Sequence, residues 1–155
     1  MRSEVYAVGH VTKKDVFLAE DPKDIARCFN VYRELRPQIE NEDVFVEKVL
    51  RQKKEGFILA YYLEGDEVAS CMGFRVYETM GWDKILYVDD LITREKSRKR
   101  GYAKKLLDYA LEVAKKENCD QMHLDSGHHR FDAHRLYLNF GFKMTCHHFA
   151  LPLRR

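Results

Sequence analysis

The chain has 155 residues, 45% of them hydrophobic, which is the length of one domain with enough apolar material for a single sizeable core. Lys and Arg number 27 against 25 Asp and Glu, a formal charge of +2, so the chain lacks the polycationic character of general nucleic-acid binders. No run approaches the roughly 18 consecutive apolar residues of a membrane span, and the N-terminal MRSEVYAVGHVTKKD has no secretory apolar region, so a cytoplasmic protein without a membrane partner is expected.

In chain order, Val16 to Ala19 read as a short strand, and Asp21-Pro22 supply an N-cap and a proline at the first helical position. The helix that follows carries Ile25, Cys28, Phe29, Tyr32 and Leu35 at helical spacing and closes at Arg36-Pro37. A second helix runs from about Glu42 to Lys54, with Val46, Val49 and Leu50 facing inward, and Gly56 ends it. The period then changes: FILAYYL, EVASCMGFRVY and ILYVDDLI are β-rich runs that form a meander. After REKSRKRG comes a helix with the stripe Ala103, Leu106, Leu107, Ala110, Leu111 and Ala114. QMHLD is a fifth strand, Ala133, Leu136, Tyr137 and Phe140 give a short helix capped by Gly141, and FKMTCHHFALPL closes the chain as a strand. The order β, α, α, β, β, β, α, β, α, β is an α/β arrangement on a mixed sheet, with no repeat or linker to mark a second domain.

Chemistry concentrates first in YVDDLITREKSRKRGYAKKLL, where a strand ends near Ile92, a basic loop follows, and Gly101 stands where a helix starts. Backbone N–H groups and the positive end of the helix dipole there make an anion site. Neither the triphosphate-loop spacing nor the dinucleotide fingerprint is present. A second feature is Asp89-Asp90, two carboxylates inside an apolar run. Neighbouring strand residues point to opposite faces, so at least one of them needs a polar cavity or a partner.

Arg98-Lys99-Arg100-Gly101-Tyr102-Ala103 resembles the Arg/Gln-x-x-Gly-x-Gly/Ala signature of the GCN5-related N-acetyltransferases. YVDDL before it, LDS on the next strand and AHRLYLNFGF towards the end are similar to family segments in the same order, so the resemblance covers most of the chain. It implies a single N-acetyltransferase domain over residues 1–155, with a mixed, mostly antiparallel sheet split between the fourth and fifth strands and flanked by about four helices. It also implies acetyl-coenzyme A as co-substrate, its pyrophosphate on the amides of Arg98, Lys99, Arg100, Gly101, Tyr102, Ala103 and Lys104. The oxyanion would be held by a backbone N–H among Leu91, Ile92 and Thr93.

By the same resemblance Asp89 or Asp90 is the base that takes a proton from the acceptor amine, and Tyr137 is the acid that protonates the leaving thiolate. An amine of pKa about 10.4 attacks only when deprotonated, and an exposed aspartate near 3.9 is a poor base for it, so the environment must assist. The alternatives are an aspartate that merely caps a loop or pairs with an arginine, and a Tyr137 that merely packs in its helix stripe. Arg130 stands where the family commonly has an asparagine seven residues before the tyrosine, which alters a coenzyme contact.

Cys28, Cys71, Cys119 and Cys146 are scattered, and His128-His129 and His147-His148 lack metal-ligand spacing, so neither a disulfide framework nor a metal is expected. With no cysteine placed as a nucleophile, the acceptor attacks the thioester directly. The expected acceptor is a small-molecule amine; a protein amine, or an acyl-coenzyme A sensor without catalysis, are the alternatives. No nucleic-acid partner is expected, since the basic residues cluster at one loop, and a homodimer is left open.

Overall fold

The computed structural model describes residues 11–154. The chain divides into two compact units, Met1–Leu124 and Asp125–Arg155.

The first unit is built on a five-stranded sheet of order β1-β2-β3-β4-β5, comprising β1 (Val16–Leu18), β2 (Ile58–Glu64), β3 (Glu67–Thr79), β4 (Asp83–Thr93) and β5 (Gln121–Leu124). The first four strands pair antiparallel and β5 joins β4 in parallel, so the sheet is mixed and mostly antiparallel. The helices are α1 (Pro22–Arg27), α2 (Phe29–Leu35), α3 (Glu42–Lys53) and α4 (Tyr102–Lys116), with α5 (Phe131–Phe140) in the second unit.

Alternation along the strands sends side chains to two cores. Leu59, Tyr61 and Cys71 join Ile25, Phe29, Tyr32, Phe45 and Val49 of the first three helices. Ala60, Tyr62, Met72, Phe74 and Val76 join Leu106, Tyr109, Ala110 and Val113 of α4. This period of two is what a sheet covered on both faces requires.

The first helix differs from its expected form. It is broken at Cys28, whose N–H reaches Ile25 O at 2.9 Å, a tightened turn that lets Val31 as well as Tyr32 enter the core. Among the described residues the first unit holds four α-helices and the second a fifth. In α3, capped by Asn41 accepting from Val44 N at 3.0 Å, Phe45 and Val49 are the buried residues, while Val46 and Leu50 are only partly buried.

The expected closing strand over 142–153 does not form. A lone extended segment needs a strand edge to satisfy its backbone, and the described residues of the second unit include no strand. Phe149, Leu151 and Leu153 are accordingly exposed in this structure, and the His148 Nδ1 contact to Asp125 Oδ2 at 2.9 Å ties the segment to its own unit.

Candidate active site

The sheet parts within the first unit. β5 pairs with β4 only from Ile85 to Val88, so among the described residues the edge of β4 from Asp89 to Thr93 has no strand partner on that side. At the same point a β-bulge interrupts the β3–β4 ladder. Gly73 is opposite Asp90 and Phe74 opposite Val88, which leaves Asp89 as the extra residue. The bulge changes the parity of the strand: Leu86, Val88 and then Leu91 belong to the α4 face, whereas Ile92 belongs to the other.

The expectation that the two aspartates diverge to opposite faces is thereby corrected. Both line one cavity of about 290 Å³, together with Tyr32, Arg36, Phe57 and Arg75. Bulges re-aim side chains in this way next to sites of chemistry.

Each carboxylate has an arginine. Arg75 Nε donates to Asp89 Oδ2 at 2.8 Å, and Arg36 donates to Asp90 Oδ1 from Nε at 2.9 Å and also from Nη2. The Tyr32 hydroxyl donates to Asp90 Oδ2 at 3.3 Å. Burial, with the Asp90 charge beside it, pushes the Tyr32 phenol well above its ordinary pKa.

Asp89 is also shifted upward. Desolvation by burial raises its pKa and outweighs the hydrogen bond and charge of Arg75, while the neighbouring Asp90 charge adds to the rise. Arg75 does not depend on Asp89 alone, because its Nη2 also donates to Gln52 Oε1 at 3.2 Å and its guanidinium lies 5.3 Å from the Phe57 ring centre. Asp89 can therefore take up a proton while its partner stays anchored.

The basic loop has a different organisation from the one its composition suggests. A short 3-10 turn, Glu95–Ser97, follows β4, and most of the loop's cations are already paired. Glu64 at the end of β2 accepts from Arg94 Nη2 at 2.8 Å, Ser97 Oγ at 2.7 Å, the Tyr102 hydroxyl at 2.7 Å and Arg100 Nη1. These donors lower the Glu64 pKa to about 2, the Ser97, Tyr102 and Arg94 bonds being the largest causes. Arg98 pairs with Glu34 at 3.4 Å, Lys104 with Asp108 at 3.0 Å, and Lys105 donates to the Tyr62 hydroxyl at 2.8 Å above the stacked rings of Tyr62 and Tyr102. Lys99 makes no ion pair among the described residues.

The loop thus offers an anion its backbone more than its side chains. Gly101 caps α4 at φ +82° with no side-chain cap, and the first bond into the helix runs from Lys105 N to Gly101 O. The amides of Tyr102 and Ala103 come before it and have no carbonyl one turn back to reach. A Cβ built on Gly101 would meet nothing within 4 Å, so this glycine answers the left-handed backbone rather than a crowded neighbour. An uncapped helix start fits a phosphate, and the unpaired edge of β4 fits an extended chain carrying amides.

Ser70 braces that edge from behind. Its hydroxyl donates to Ile92 O at 2.8 Å and lies 2.9 Å from Thr93 Oγ1, fixing the end of β4 before the loop begins.

In the second unit Tyr137 lies on α5, which Gly141 terminates at φ +115° with N–H bonds back to Tyr137 O and Leu138 O. The ring stands edge-on to Phe142 with centres 6.1 Å apart. Burial raises the phenol pKa, with Arg130 opposing the shift. Arg130 is the N-cap residue of α5, its N–H donating to Gly127 O at 3.0 Å. The Ser126 hydroxyl is buried without a hydrogen-bond partner among the described residues.

Glu64, Arg75, Arg36 and Tyr32 had not been singled out from the sequence as site residues. Their signal was indirect: Glu64, Arg75 and Arg36 are charged residues in or beside apolar elements and Tyr32 belongs to a helical stripe, with partners 30 or more positions away in most cases.

The model of the acetyltransferase (GNAT) family matches residues 22–142, and the chain belongs to that family. It is an N-acetyltransferase, an acyltransferase by class. A relative from Bacillus subtilis (strain 168), described as uncharacterized N-acetyltransferase YhdJ, is 30% identical over 129 residues, covering 83% of this chain and 91% of the relative. Among solved structures, a transcriptional regulator from Bacillus halodurans C-125 matches 93% of this chain and 100% of its own with a TM-score of 0.79 and 20% identity. AAC(6')-Iy in complex with a bisubstrate analogue, CoA-S-monomethyl-acetylneamine, matches 93% of this chain and 100% of its own with a TM-score of 0.75 and 13% identity. At these identities the two structures speak for the fold. Among the described residues no helix is long and apolar enough to cross a membrane.

Proposed function

We propose that this chain is a single N-acetyltransferase domain over residues 1–155 that transfers the acetyl group of acetyl-coenzyme A to a primary amine of a small molecule. The observation that carries the reading is the bulge at Asp89, which turns two carboxylates into one small cavity at the point where the pairing of β4 with β5 ends. The coenzyme-bound form of a fold neighbour, AAC(6')-Iy, supports acetyl-coenzyme A as co-substrate. The free, buried thiols of Cys28 and Cys71 suit a reducing compartment such as the cytoplasm.

In this reading the pyrophosphate binds at the amides around Gly101, Tyr102 and Ala103, within the segment Arg98 to Lys104, and the thioester lies along Leu91 to Thr93 with its oxygen on a backbone N–H there. Asp89 takes the amine proton, directly or through a water, because burial gives it a greater proton affinity than an ordinary aspartate. Asp90, held by Arg36 and Tyr32, positions the amine nitrogen. The nitrogen forms a bond to the acetyl carbon, the carbon–sulfur bond breaks, and Tyr137 gives its proton to the departing thiolate. A phenol raised by burial is protonated at neutral pH and so is ready to donate. Its proton moves to a thiolate of ordinary pKa about 8.5 only if the site raises the thiolate as well, which a dry cleft does.

Calorimetric titration with acetyl-coenzyme A tests the binding half of the reading. The wild-type protein should bind, and a folded Gly101→Val protein should not, because a β-branched residue resists φ +82° and its methyl groups would occupy the approach to the helix start. Unchanged affinity in the folded variant would sink the pyrophosphate site.

A further inference from the structure

The cavity that holds the two aspartates contains more positive than negative charge. Arg36, Lys48 and Arg75 line it against Asp89 and Asp90, a surplus of one cation. The two carboxylates are each engaged by an arginine, whereas exposed Lys48 makes no ion pair among the described residues. Arg36 spends Nε and Nη2 on Asp90 and bonds nothing else among the described residues, so Nη1 is left for a further acceptor. Below these groups the cavity floor is apolar and aromatic, with Phe45, Val49 and Phe57 almost wholly buried.

From this distribution we infer that the acceptor is a small zwitterion, an amine that carries an anionic group a few bonds from its nitrogen, with the amine at the aspartates and the anion between Lys48 and Arg36. The inference rests on the acetyltransfer reading and narrows its acceptor. A polyamine or other polycation entering this space would bring several positive charges against Arg36, Lys48 and Arg75, with only the two arginine-paired carboxylates to offset them. A zwitterion meets both signs. It leaves the Arg36–Asp90 pair intact, because the free edge of the guanidinium takes the anion in a charge-assisted hydrogen bond. The volume of about 290 Å³ sits at the small end of ligand pockets and suits a molecule the size of an amino acid rather than a folded polypeptide surface. The apolar floor adds that its side chain is hydrocarbon.

The test compares leucine, leucinamide, phosphoethanolamine and spermidine on protein saturated with coenzyme A, with binding read by calorimetry so that no turnover is needed. Binding of coenzyme A itself is checked first, and its absence would count against the acetyltransfer reading rather than the acceptor. With coenzyme A bound, leucine should bind at least about tenfold tighter than leucinamide, the worth of one charge-assisted contact, and spermidine weakest. Phosphoethanolamine tighter than leucine would keep the zwitterion and identify its anion as a phosphate. The Lys48→Glu variant should remove the preference for leucine over leucinamide while coenzyme A affinity is unchanged. Leucinamide or spermidine binding as tightly as the zwitterions, no zwitterion binding at all, or a preference untouched in Lys48→Glu would each overturn the inference.

Discussion

Gly73 lies directly opposite Asp90 in the β3–β4 ladder, and the space its missing side chain leaves is taken by the Phe57 ring and the Tyr32 hydroxyl. A Cβ at this position would come within 2.4 Å of the ring and 2.7 Å of the hydroxyl. The glycine is therefore what allows Tyr32 to reach Asp90 and Phe57 to lie beneath Arg75. Gly73→Ala should destabilise the protein by about 1–3 kcal/mol through overpacking, read as a lower urea midpoint, and should raise the KM for the acceptor while coenzyme affinity is kept. An alanine variant with unchanged midpoint and unchanged KM would show that the cavity wall gives way freely.

The two aspartates should separate by kinetics and by pH. Asp89→Asn is expected to lower kcat by roughly 10²- to 10⁴-fold, the usual size of a general-base contribution, whereas Asp90→Asn should act mainly on KM. The base must be ionised, so kcat/KM falls on acidification through the Asp89 pKa, and that limb lies above the ordinary value of 3.8 because burial raises it. In Asp89→Asn the limb should vanish. The stability sign runs the other way: with a folded pKa above the unfolded one, the favourable protonated form is lost as pH rises through the folded value. Thermal melts over this range should accordingly be flatter in the asparagine variant than in the wild type.

Glu64 behaves oppositely. Its pKa falls from 4.5 in a free carboxyl to about 2 in the folded protein, so its contribution to stability is complete above about 4.5 and is lost as pH drops towards 2. Glu64→Gln should therefore remove part of the acid sensitivity in that window, measured by unfolding at a series of pH values. The same substitution releases Arg100 and Tyr102 and should weaken acetyl-coenzyme A binding by loosening the loop, with the loss read by calorimetry at neutral pH.

How far the sequence reaches is clear from these residues. Period and punctuation revealed the sheet, α4 and the turn that starts it at Gly101, because Asp21-Pro22, Gly101 and the apolar stripe of α4 are local signals. Alternation also exposed Asp89-Asp90 as misfits in an apolar run. The bulge was not legible, since it depends on the register against Gly73, and with it went the convergence of both carboxylates on one face. Arg36 and Arg75 were hidden for the same reason: ion pairs across elements leave no local pattern. The pairing of the basic run with Glu34 and Glu64 is again a long-range fact. The strand expected at 142–153 had the right residue types and no edge to pair with among the described residues of its own unit.

Tyr137 can be tested apart from its packing. Phenylalanine keeps the ring against Phe142, so the melting temperature should shift little, while turnover should drop roughly 10²- to 10⁴-fold if the hydroxyl is the acid. Normal turnover with a lowered melting temperature would assign the residue to packing alone.

The central claim, direct transfer of acetyl to an amine, is tested by mixing the protein with acetyl-coenzyme A and following free thiol as a primary amine is added. Thiol release should require the amine, appear in equal amount with acetylated amine, and leave no acetyl group on the protein in the amine's absence. Thiol release that is independent of the amine, or an acetylated protein formed before the amine is added, would contradict it.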